Sequence, residues 1–101
     1  MKVNFALVYQ DLSAKFIETA EVPDHSSATF IADTVFNMFN EGSEKECRRF
    51  RKSGVRSMRD GDMVMFTVNG RVEYLRATEN AWENVPALEF ASAWQKASTK
   101  F

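Results

Sequence analysis

The sequence predicts an α+β domain in which an antiparallel sheet, made of two β-hairpins, has helices packed on one face. The supporting observations are a strict polar–apolar alternation near the start, a second alternating segment around an Asn-Gly turn, and helical spacing of apolar residues between them. The predicted order over the 101 residues is β-β-α-α-β-β-(β)-α. It lacks the alternating βαβ units of a parallel sheet, and its length fits a single domain spanning residues 1–101.

The first hairpin is predicted from residues 2–10 and 15–22. In the first of these segments every second side chain is apolar and points one way: Val3, Phe5, Leu7 and Tyr9. That period of two is typical of a strand with one buried face. Residues 11–14 supply the turn, and Pro23-Asp24 ends the second strand.

A helix is predicted from Ser26 or Ser27 to Asn40, capped by a serine hydroxyl. Its apolar stripe consists of Ala28, Ile31, Ala32, Val35 and Phe39. Phe30 projects from the opposite side of this helix. Either another part of the fold covers it or another chain does, so Phe30 is a candidate contact residue.

Residues 43–46 form a capping box, Ser-Glu-Lys-Glu, that predicts a short second helix. Only Cys47 and Phe50 give this helix an apolar edge. Cys47 is therefore expected to be a small buried hydrophobe rather than a reactive thiol.

The second hairpin, residues 63–77, has two candidate registers around Asn69-Gly70. A two-residue loop pairs Val68 with Arg71, whereas a three-residue loop pairs Phe66 with Val72. We prefer the three-residue loop because it gives one apolar and one polar face. A short strand over 82–85 and a final helix starting near Pro86, with Phe90, Ala91, Trp94 and Ala97 towards the core, complete the prediction.

Composition restricts the class of protein. The net charge is −1, there is one cysteine, and no apolar run is long enough for a signal peptide or a membrane span. We therefore expect a cytoplasmic protein without disulfides and without membrane association.

No catalytic or metal-binding pattern stands out. His25 is the only histidine and belongs to a helix start, and one histidine with one cysteine does not supply a zinc site. Asp60-Gly61-Asp62 is the nearest candidate for a carboxylate site, but it is better explained as a turn before a strand. We predict no enzyme activity, no metal and no cofactor; an active site made of carboxylates that meet only in the folded chain is the third hypothesis.

A dense basic cluster is the strongest candidate site. It consists of six cations within twelve residues: Arg48, Arg49, Arg51, Lys52, Arg56 and Arg59. Such a cluster suits phosphate groups or an acidic protein surface. The alternative is a solvated helix face balanced by neighbouring acids.

The run Arg56-Ser57-Met58-Arg59-Asp60-Gly61-Asp62-Met63-Val64, followed by Asn69-Gly70-Arg71 and Ala81-Trp82-Glu83, resembles the YodL-like domain of bacteria, plasmids and phages. The resemblance covers roughly residues 26–85. It differs from the family pattern at Arg59-Asp60, where the family usually has a serine and a small or apolar residue, and at Ala81, where it has glycine. The resemblance implies a small accessory module that binds and modulates host machinery, and it transfers no catalytic residue.

The sequence thus favours a small non-enzymatic domain, encoded by a phage or mobile element, that docks on a host protein through the basic cluster and Phe30. The alternative is a nucleic-acid-binding module that uses the basic cluster of residues 48–59.

Overall fold

The computed structural model describes residues 1–40 and 57–98, which contain five strands and two helices. The strands are β1 (Lys2–Val8), β2 (Lys15–Glu21), β3 (Met63–Val68), β4 (Arg71–Ala77) and β5 (Trp82–Asn84), and the helices are α1 (Ala28–Met38) and α2 (Ala87–Lys96). The short helix predicted from Ser43 lies outside the described residues, as does Cys47.

The five strands form one antiparallel sheet in the spatial order β2-β1-β3-β4-β5. Both predicted hairpins are present as neighbouring strand pairs, and β1 joins them by pairing with β3. The predicted α+β class with an antiparallel sheet is therefore confirmed.

Helix α1 covers one face of the sheet. It begins where predicted because the Ser27 hydroxyl accepts a hydrogen bond from the Phe30 amide at 3.1 Å. Its buried side chains enter a core built on aromatic rings, in which Phe39 contacts Phe5 and Phe16 at centroid distances of 6.1 and 5.1 Å. Alternate residues of β1 and β2 point to the same face of the sheet, so the rings of the first hairpin pack against α1 in one core.

Helix α2 packs on the opposite face of the sheet, so the prediction that the helices share one face is wrong. Ala6 and Val8 of β1 are buried on that second face together with Phe90 of α2 and with Ala97, which follows the last residue of α2. Successive strand residues point to opposite faces. Since Phe5 and Leu7 belong to the core under α1, Ala6 and Val8 must belong to the other face. The apolar side chains of this second face are shielded from water by α2.

The preferred register of the second hairpin is also wrong. Val68 pairs with Arg71 and Phe66 with Glu73, which leaves the two-residue loop Asn69-Gly70. Both loop residues have positive φ, 52° and 73°, as a type I′ turn requires. We preferred the three-residue loop because it would leave one face of the hairpin polar. That face is not polar throughout, because α2 buries part of it.

Candidate docking groove between the second helix and the sheet

A row of apolar side chains crosses four strands on the α2 face of the sheet. Ile17 pairs with Ala6, Ala6 with Met65, and Met65 with Tyr74, so the four side chains lie side by side. This row forms the floor of an open cavity of about 750 Å³. The strand register therefore determines which residues meet at the floor.

Helix α2 forms the wall of this cavity. Phe90 turns inwards, where its ring lies 5.6 Å from Tyr74 and 6.1 Å from the stacked ring of Trp94. Leu88 and Ala91 lie on the adjacent side of the helix and complete the lining. We call this feature the apolar groove, defined by Ala6, Ile17, Met65, Tyr74, Leu88, Phe90, Ala91 and Trp94.

Two large aliphatic side chains of the groove are open to solvent. Ile17 is 66% exposed and Leu88 is 81% exposed. They belong to different elements, a strand and a helix, yet they line the same cavity. Grouped exposed apolar side chains in a concave surface are typical of protein or ligand contact sites.

Lys15 fastens the C-terminal end of α2 to β2. Its Nζ donates a hydrogen bond to the Trp94 carbonyl at 2.8 Å and lies 5.1 Å from the Trp94 ring centroid. A cation near the last turn of a helix also interacts favourably with the helix dipole. The contact between Lys15 and Trp94 thus joins β2 and α2, the two elements on either side of the groove.

The groove has a mostly apolar lining that carries a few polar groups. Besides its apolar members it is lined by Ala87, Ser92 and Gln95, and no carboxylate or histidine is among these residues. Nor do residues 1–40 and 57–98 contain a group of three or more side chains that could hold a metal ion. Such a surface can accept apolar side chains of a partner and fix their orientation through a few polar groups.

Phe30 lies on the outer side of α1, as predicted, and is 49% exposed. The sheet separates it from the apolar groove, because α1 and α2 cover opposite faces. Its role as a contact residue stays a prediction.

Most of the basic cluster lies outside the described residues: Arg48, Arg49, Arg51, Lys52 and Arg56. Arg59 is described, with a side chain that is 64% exposed and an Nη2 atom 3.7 Å from Asp11 Oδ2. An exposed ion pair of this length contributes little stability. The partner of the cluster, protein or nucleic acid, stays a prediction.

The remaining sequence candidates have structural explanations. His25 is exposed with a φ of 66°, in the turn before α1. Asp62 is fully buried and accepts hydrogen bonds from the Gln10 and Arg59 amides at 2.9 and 2.8 Å. The Asp60-Gly61-Asp62 segment is therefore a turn, as predicted, and Asp62 organises it.

Comparison with known proteins found no matching family model, no matching curated protein and no matching solved structure. The resemblance to the YodL-like domain accordingly stays a prediction. Within the described residues, no helix is long and apolar enough to cross a bilayer.

Sequence reasoning missed Ile17 and Leu88. Ile17 was detectable as the one large aliphatic residue among the outward positions of its strand, where Lys15, Thr19 and Glu21 are polar. Leu88 was detectable as a leucine outside the core stripe of the last helix. Neither signal shows that the two side chains line one cavity, because that depends on where α2 packs.

Proposed function

We propose that this chain is a small non-enzymatic binding domain that docks on a host protein through the apolar groove. The observation that carries the proposal is the joint exposure of Ile17, on the floor of the cavity, and Leu88, on its wall, in a largely apolar lining. Burying such side chains against a partner is favourable by roughly 25 cal/mol for each Å² of apolar surface removed from water. Binding of a partner that covers Ile17 and Leu88 is therefore favourable, because both side chains are exposed to water in the free protein.

The class of partner follows from the resemblance and the composition. The resemblance of residues 26–85 to YodL-like proteins supports a phage or mobile-element origin and hence a host protein as the target. A cytoplasmic location belongs to the same proposal. Phe30 lies on the α1 side of the sheet, so it would be a second contact residue only for a partner that binds both sides of the domain.

The test is capture of partners from bacterial lysate by the tagged chain, with and without nuclease, read by mass spectrometry. The decisive variant is Leu88→Asp, which places a charge in the groove at a residue that is already 81% exposed, so the fold should remain intact. We expect it to weaken capture of a stoichiometric protein by about tenfold or more, as for the loss of an interface hot spot.

The matched control is Val72→Asp, because Val72 is also a large exposed aliphatic residue, at 51%, but does not line the groove. It should leave capture unchanged. Equal capture by the wild type and Leu88→Asp would contradict the groove as the contact surface.

Capture that disappears with nuclease would instead support the nucleic-acid alternative, with the basic cluster as the phosphate-binding surface. A Phe30→Asp variant decides whether the α1 side also takes part.

A further inference from the structure

Strand β2 ends the sheet on one side, and no other strand of the described residues pairs with its outer edge. The backbone bonds fix which of its groups face outwards. Val22 and Met1 exchange hydrogen bonds, and Tyr9 N donates to the Ala14 carbonyl. Antiparallel bonding alternates, so the even-numbered residues of β2 bond to β1. The odd-numbered residues of β2 direct their N–H and C=O groups away from the sheet.

The same odd-numbered residues present a self-complementary row of side chains on the α2 face: Lys15, Ile17, Thr19 and Glu21. The row has a cation at one end, an anion at the other and two β-branched residues between them. In an antiparallel pair of two copies, each end charge meets its opposite. An open edge with these features is a template for another strand.

We propose that a second copy of this chain pairs with the first through β2, antiparallel and centred on Glu18. This register pairs Lys15 with Glu21 and Ile17 with Thr19 of the second copy, and each pair occurs twice by symmetry. On the other face it sets Glu18 opposite Glu18 of the second copy, which is one like-charge contact against two Lys–Glu pairs. It uses all four outward-facing residues of each strand, since the strand has seven residues. Shifting the centre to Ile17 or Thr19 leaves one outward-facing residue of the strand without a partner in β2 and breaks the Lys–Glu pairs.

The dimer joins two five-stranded sheets into one continuous sheet. The symmetry axis is perpendicular to this sheet, so both α2 helices lie on the same face. The two apolar grooves then lie on one side of the dimer. This inference does not rest on the proposed function, because it concerns the backbone edge of β2 and is tested by mass rather than by capture.

The experiment is sedimentation equilibrium of the full chain over a range of concentrations, using charge-reversal variants. The wild type should approach twice the 11.6 kDa of one chain as concentration rises. In Lys15→Glu or Glu21→Lys alone, two opposite-charge pairs become two like-charge pairs, which should weaken the dimer by about tenfold or more. An equimolar mixture of the two variants restores both pairs and should form a heterodimer as tight as the wild-type dimer.

Lys15 also contacts Trp94 within its own chain, so a second variant separates folding from pairing. Thr19→Pro removes an outward-facing N–H and leaves the backbone bonds to β1 intact, and proline is tolerated on edge strands for this reason. It also removes the exposed hydrogen bond of 2.7 Å from Thr19 Oγ1 to Asn4 Oδ1 of β1. Circular dichroism should show a folded protein, and sedimentation should show a monomer. The proposal is overturned by a wild type that stays monomeric at every concentration, by a folded Thr19→Pro that dimerises like the wild type, or by a variant mixture that fails to form the heterodimer.

Discussion

The Asp62 carboxylate is buried at the point where the chain enters β3, and both of its oxygens accept backbone hydrogen bonds, from Gln10 and from Arg59. The same turn is closed by bonds between the Gly61 amide and the Ala77 carbonyl and between the Ala77 amide and the Asp62 carbonyl. Gly61 permits it with a φ of 95°. The Asp62 side chain thus ties the residues after β1 to the turn before β3, and the backbone of the same turn bonds to the end of β4.

Asp62→Ala should therefore lower the free energy of unfolding by about 2 kcal/mol, because the partly buried backbone amides of Gln10 and Arg59 lose their acceptor. Urea denaturation measures this change. Asp60→Ala is the matched control, since Asp60 is an exposed acid in the same turn and should change stability by no more than about 0.5 kcal/mol. Equal stability of the two variants would show that Asp62 does not hold the turn.

The loop of the second hairpin depends on the backbone conformation of Asn69. Its φ is 52° in the two-residue loop, whereas the three-residue loop expected from the sequence needs a right-handed residue there. Polarity alone could not decide between the registers. The second face contains apolar residues because α2 covers part of it.

Asn69→Ala should lower the free energy of unfolding by roughly 1–2 kcal/mol, because alanine is strained at positive φ. Asn69→Gly is the control and should be close to the wild type, since glycine adopts this conformation readily. Chemical denaturation of the three proteins gives the comparison. An alanine variant as stable as the glycine variant would favour the three-residue loop.

The two helices are attached to the sheet differently. Helix α1 is joined to β5 by a hydrogen bond of 2.7 Å from Trp82 Nε1 to Asp33 Oδ1 and by the edge-on rings of Phe36 and Trp82. Helix α2 follows β5 directly and is attached by Phe90, its one buried residue, and by the contact of Lys15 with Trp94. The sequence predicted both helices from their apolar spacing and caps, but spacing does not tell which face of the sheet a helix covers.

The part of the molecule that the structure describes has two cores separated by the sheet. Among the described residues the α1 core contains seventeen buried members and the α2 core six. Regions with fewer buried contacts open first in native-state exchange. Helix α2 should therefore undock while α1 and the sheet remain folded.

Hydrogen exchange with mass spectrometry tests this order, with Phe90→Ala as the variant. We expect peptides from α2 to exchange faster in the variant, while peptides from α1 keep their wild-type rates. Equal acceleration in both helices would mean that the two cores open as one unit.

Much of the fold was predictable because its signals are local. Alternation located the strands, and Ser27 located the start of α1. The groove was not predictable, because it depends on the face that α2 covers. Ala6 and Val8 carried the one hint of this second core, as apolar residues among the otherwise polar positions of β1.

Photo-crosslinking from a residue of the apolar groove determines whether this surface contacts a partner protein. A photoreactive phenylalanine analogue is placed at Leu88 and, as a control, at Val72, and the adducts formed in living bacteria are identified by mass spectrometry. We expect one dominant protein adduct from position 88 and none from position 72. No adduct from position 88, or the same adducts from both positions, would contradict this expectation.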